Sequence, residues 1–113
     1  MRKIRKWKYK NPKSIFISEK KFNSILENDS FVFIDSRNEL DYKEGYIKGS
    51  IRVDKAFLES KILEYPLDQK MILLNTKKRS NAFIASWARF QGYKNIYLYK
   101  INLDEINLIK ETY

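Results

Sequence analysis

Met71-Ile72-Leu73-Leu74-Asn75-Thr76-Lys77-Lys78-Arg79-Ser80 reads as an apolar strand that empties into a short, basic, polar loop. Ser80 or Asn81 then opens an amphipathic helix that runs to Gln91, with Phe83, Ile84, Trp87, Ala88 and Phe90 expected on its apolar side. Gly92 stands where a left-handed C-terminal cap belongs. A strand–loop–helix corner of this kind turns several backbone N–H groups toward one spot, and the helix N-terminus adds partial positive charge there. Such corners carry nucleophiles and anion cradles, so the first question is which chemistry this one retains.

Outward from the corner, strands and helices of about ten residues alternate. Ile15-Phe16-Ile17 reads as a short strand, and Ser18 caps a helix over 19–27 with Phe22, Ile25 and Leu26 on one face. Phe31-Val32-Phe33-Ile34 is a continuous apolar run, the pattern of a strand buried on both faces. Asn38 caps a brief helix over 39–43 that Gly45 stops, and a glycine-bounded loop leads to a short strand near Val53. A helix over 56–64 ends at Pro66. Ile96-Tyr97-Leu98-Tyr99 is a further strand, and the spacing of Ile106, Leu108 and Ile109 predicts a closing helix over 103–113. The alternation implies an α/β domain with a mainly parallel sheet covered on both faces. Sites on such sheets lie beyond the carboxyl ends of the strands, which brings 35–37 and 75–80 to one edge.

The 113 residues suffice for one domain with a real core, at 43% hydrophobic and 15% aromatic. No apolar run is long enough for a transmembrane helix, and no secretory h-region follows the basic start. Cysteine and histidine are both absent. That removes disulfides, thiolate nucleophiles and the commonest general base and metal ligand, so no metal site and no cofactor is expected. Net charge is +9, and residues 1–13 supply seven of those charges without one acid. The chain therefore divides into a basic arm, 1–13, and a nearly balanced domain, 14–113. The abundance of Lys, Ile and Asn over Gly suggests an AT-rich genome, as in an organelle or a reduced endosymbiont.

Two segments resemble the rhodanese family. Phe31 to Tyr42, with Asp35-Ser36-Arg37 and then Gly45-Tyr46-Ile47-Lys48-Gly49-Ser50-Ile51, is similar to the family's apolar strand, Asp-x-Arg and Gly-His-Ile-x-Gly-Ala-Ile. At the corner, Arg79-Ser80 and Gly92-Tyr93 match the end of the family's loop and helix. The resemblance implies a three-layer α/β/α sandwich with a central, mainly parallel sheet. In active members a loop cysteine takes up sulfane sulfur as a persulfide. Here a gapless alignment from Arg79-Ser80 puts Leu74 at that cysteine, and one deletion puts Asn75 there. Neither is a nucleophile. Lys77 or Lys78 replaces the loop glycine, and Tyr46 replaces the motif histidine.

From these departures the chain is expected not to be an enzyme: a rhodanese-like pseudoenzyme without catalytic residues. The arm, with Arg2, Lys3, Arg5, Lys6, Trp7, Lys8, Tyr9 and Lys10, is the expected site for nucleic acid or a protein partner, the cations meeting phosphates and the aromatics stacking. The loop Asn75, Thr76, Lys77, Lys78, Arg79 and Ser80 is the expected anion-binding surface. The leading expectation is a structural subunit of a large assembly, a mitochondrial ribosome bound through the arm to ribosomal RNA and neighbouring proteins. Alternatives are an accessory subunit of a mitochondrial respiratory or ATP-synthase complex, and a free regulatory module that binds an anionic ligand or protein at 75–80. The expected compartment is the mitochondrion, or else the cytoplasm of a reduced-genome organism.

Overall fold

A computed structural model describes residues 15–105 and 108–110. Its organising strand is β4 (Lys70–Asn75), whose apolar residues are buried on both faces. Side chains alternate along a strand, so Met71 and Leu73 enter one core and Ile72 and Leu74 the other. On the first face they meet Leu58 and Ile62 of α3 (Leu58–Leu63) and Ala82, Ala85 and Ala88 of α4 (Ala82–Gln91). On the second they meet Phe22 and Ile25 of α1 (Glu19–Ile25) and Phe33 of β1 (Phe31–Asp35). Each fully buried Leu, Ile, Met or Phe contributes about 1.5–3 kcal/mol. Three layers follow from that two-sided burial.

The sheet has the order β3-β1-β4-β5, with β3 at Ile51–Arg52 and β5 at Ile96–Lys100, and every pairing within it is parallel. Parallel neighbours need crossover connections, which α3 and α4 provide on one face. All four strands therefore end at one edge, at Asp35, Arg52, Asn75 and Lys100. This is the α/β sandwich that the alternating pattern implies. Among the described residues no helix is long and apolar enough to cross a membrane.

Local chemistry explains the boundaries. The Ser18 hydroxyl accepts a hydrogen bond from the Lys21 N–H at 3.1 Å and starts α1. The Asn38 side chain does the same for Asp41 N–H at 2.9 Å, starting α2 (Glu39–Glu44). α3 begins with a tight 3₁₀ turn over Lys55–Phe57, where a regular helix from Ala56 is expected. Gly92 closes α4 at φ +113°, and its N–H bonds back to the Ala88 and Arg89 carbonyls.

Three expectations are corrected. The residues Leu108–Ile109 form a strand, β6, instead of helix, and pair antiparallel with β2 (Tyr46–Ile47). A Cβ on Gly45 would stand 3.0 Å from the Leu108 side chain, so the glycine admits this close pairing. Ile15–Ile17 is no full strand: Phe16 makes one parallel bridge to Leu98, and the cap at Ser18 ends the extension. The face of α4 is also rotated, with Ala82, Ala85 and Ala88 buried while Phe83 is 54% exposed. Alanines let the helix axis approach the sheet closely, and the bulky residues flank the contact.

Gly92 gives the first prediction. An L side chain at φ +113° is strained, so Gly92→Ala should cost about 1–2 kcal/mol in urea denaturation, whereas a loss near zero would remove the cap from this account.

Candidate functional site

The carboxyl edge of the sheet is built around two short polar segments. At the end of β1, Asp35 is fully buried and Arg37 is 5% exposed. The Arg37 Nη2 donates to Asp35 Oδ2 at 2.8 Å and its Nε to Oδ1 at 3.0 Å, and the Arg37 backbone N–H donates to the same Oδ1 at 3.0 Å. The guanidinium also reaches the carbonyls of Gly45 at 2.7 Å and Asp41 at 3.2 Å. A buried carboxylate is thus matched by a planar, two-pronged donor, and the leftover N–H groups tie down the chain through α2. The pair holds the turn.

Between them sits Ser36, and it belongs to a second network. The Ser36 hydroxyl donates to Asn81 Oδ1 at 2.9 Å and accepts from Asn75 Nδ2 at 2.9 Å. The Asn75 amide also donates to Ser80 Oγ at 3.2 Å, while its Oδ1 accepts the Lys77 N–H at 3.1 Å. Leu74 is fully buried in the core. Of the two residues that compete for the cysteine position, Asn75 is therefore the one whose side chain enters the corner. It cross-ties both ends of its own loop to the end of β1. Asn81, though it stands at the start of α4, makes no side-chain cap and spends its amide on Ser36 and on the Leu74 carbonyl.

This network is neutral. An amide is no base and the two hydroxyls have no histidine or carboxylate to activate them, so the corner offers hydrogen bonds but no thiolate or alkoxide. Charge lies outside it. Lys77, Lys78 and Arg79 are exposed, and the Lys78 ammonium sits 5.5 Å from the Phe16 ring centroid. Thr76 is half-buried beside them. Lys55 reaches over from the far side of β1 and places its Nζ 3.4 Å from Ser80 Oγ. Arg52, by contrast, is held by Asp54 at 2.6 Å, a hydrogen bond that raises its pKa further above the ordinary arginine value. Tyr46 stacks on Tyr42 at 4.4 Å, and the Tyr42 hydroxyl donates to the Ser50 carbonyl at 3.0 Å. The arm residues Arg2 to Lys10 lie outside the described residues. The sequence brings 35–37 to the edge of 75–80 without showing Ser36 as the hub of the network, and Asn81 and Lys55 escaped it as site residues.

A parallel β3-β1-β4-β5 sheet with a loop-to-helix corner beyond β4 defines the class. The chain belongs to the rhodanese-like domain family, whose model matches residues 18–107. It is similar to a tRNA uridine(34) hydroxylase of Buchnera aphidicola subsp. Baizongia pistaciae (strain Bp), 28% identical over 91 residues, which covers 75% of this chain and 29% of that protein. The protein of the same name from Buchnera aphidicola subsp. Acyrthosiphon pisum (strain Tuc7) is 27% identical over 93 residues, covering 77% of this chain and 29% of the relative. This chain thus spans less than a third of the length of these relatives. Among solved structures, the polysulfide-sulfur transferase homodimer of Wolinella succinogenes superposes with a TM-score of 0.64 at 21% identity, covering 80% of this chain and 70% of that one.

These relatives overturn the expectation of a chain that is not an enzyme, because the curated proteins it matches are named as enzymes. The physical reason is that losing the thiol removes one chemistry, persulfide transfer, and not enzymatic function as a whole.

The Asn75 cross-tie yields a second prediction. Asn75→Ala deletes two donors and one acceptor from a partly buried network and should cost about 1–3 kcal/mol. Amide exchange at Lys77 should accelerate with it. Unchanged stability and exchange would show that the loop is held by other contacts.

Proposed function

We propose that this chain takes part in the hydroxylation of uridine 34 of tRNA, as a rhodanese-like unit that meets the RNA at the carboxyl edge of its sheet. The observation that carries this reading is the match over 75% of the chain to a relative named for that reaction. Two further features support it. The chain carries a net charge of +9, which suits a polyanionic substrate. The neutral amides and hydroxyls of the corner bond to one another and hold the loop, and the exposed Lys77 and Arg79 at its rim suit backbone phosphates. Toward that reaction the described residues supply positioning: Asn75, Ser36 and Ser80 fix the loop, and Lys55, Lys77 and Arg79 flank it. No observation favours a ribosomal or respiratory-complex role over this one.

Expression in a bacterial strain whose own tRNA uridine(34) hydroxylase has been deleted tests the proposal. Nucleoside mass spectrometry should find one added oxygen on uridine 34 when the chain is present. Unmodified uridine 34, with the chain folded and abundant, would overturn it.

A further inference from the structure

The described cations at the carboxyl edge are not equivalent. Arg37 and Arg52 are consumed by Asp35 and Asp54, and Lys78 lies over the Phe16 ring. Lys55, Lys77 and Arg79 form no ion pair among the described residues. The Lys55 ammonium, at the start of the 3₁₀ turn Lys55–Phe57, reaches Ser80 Oγ at 3.4 Å, in the loop that bears Lys77 and Arg79. That turn ends in Phe57, which is 62% exposed although its neighbour Leu58 is fully buried. A large aromatic ring is thus exposed to solvent two residues after Lys55, on the short turn whose lysine reaches the basic loop.

We propose that Lys55, Phe57, Lys77 and Arg79 form a seat for an unpaired stretch of RNA, with Phe57 stacking on a base and the three cations meeting backbone phosphates. The choice of RNA rests on the tRNA reading above; the seat itself rests on the exposed ring and the unpaired charges. Single-stranded nucleic acid presents flat base faces interleaved with phosphates, which is the complement of this surface. A continuous duplex hides its base faces and offers phosphates alone. An acidic peptide offers carboxylates but no flat faces to stack.

The test is binding of the full chain, by fluorescence anisotropy, to a labelled tRNA anticodon stem-loop and to the same sequence closed as a continuous duplex. Phe57→Leu should weaken stem-loop binding about tenfold and leave duplex binding unchanged, whereas Phe57→Trp should retain affinity. Replacing Lys55, Lys77 and Arg79 together by Ala should flatten the plot of log affinity against log salt by about 2, as expected for three single-strand phosphates. A thermal melt confirms that each variant folds, and the Lys55/Lys77/Arg79 arm decides the case if Phe57→Leu does not. Equal affinity of Phe57→Leu and wild type, equal losses on stem-loop and duplex, or stronger binding to an acidic peptide than to the stem-loop would overturn the seat. The two proposals fail separately. Selective stem-loop binding without added oxygen at uridine 34 sinks the hydroxylation reading only, and hydroxylation that survives in Phe57→Leu with unchanged binding sinks the seat only.

Discussion

The buried pair of Asp35 and Arg37 is the constraint on which the carboxyl edge depends. A carboxylate with no solvent exposure is tolerable only when its charge is matched and its lone pairs are filled. Arg37 does both, and its remaining N–H groups then fix the carbonyls of Asp41 and Gly45. Those two bonds set where α2 ends and where β2 begins. From there β2 pairs with β6, so the last described strand is positioned, through Gly45, by an ion pair at the end of the first.

The same pair sets the geometry of the corner. Ser36 is clamped between its two members and has little freedom, and it is the hub to which both Asn75 and Asn81 bond. The result is a graded edge: an ion pair in the interior, a ring of neutral hydrogen bonds around it, and uncompensated lysines and an arginine outside. Charge in the interior is spent on folding. Among the described residues of this edge, Lys55, Lys77 and Arg79 in the outer ring form no ion pair, which is why the proposals above concern RNA at the rim and not a reaction at Asp35 or Arg37.

Much of this was legible in the residues and some was not. The two-sided burial of β4 and β1 shows in their unbroken apolar runs, and the Ser18 and Asn38 caps show in their side chains. β6 was hidden because two residues are too few to display alternation, and the spacing of Ile106, Leu108 and Ile109 satisfies a helical period equally well. The buried face of α4 was hidden because alanine carries little hydrophobic signal beside Phe83, yet close packing selects the small residue. The network at Asn75 was hidden for another reason: its partners lie 39 and 45 residues apart, so no local pattern announces it. The missing cysteine was plain, but its consequence was not. It excludes persulfide transfer, and not enzymatic function as a whole.

Urea denaturation of Arg37→Met tests most directly whether the edge hangs on the buried pair. The account predicts a loss of about 3–5 kcal/mol, because Asp35 is left charged and unmatched in the interior, and substantial recovery when Asp35→Asn is added. A loss below about 1 kcal/mol for Arg37→Met, with no coupling between the two substitutions, would contradict it.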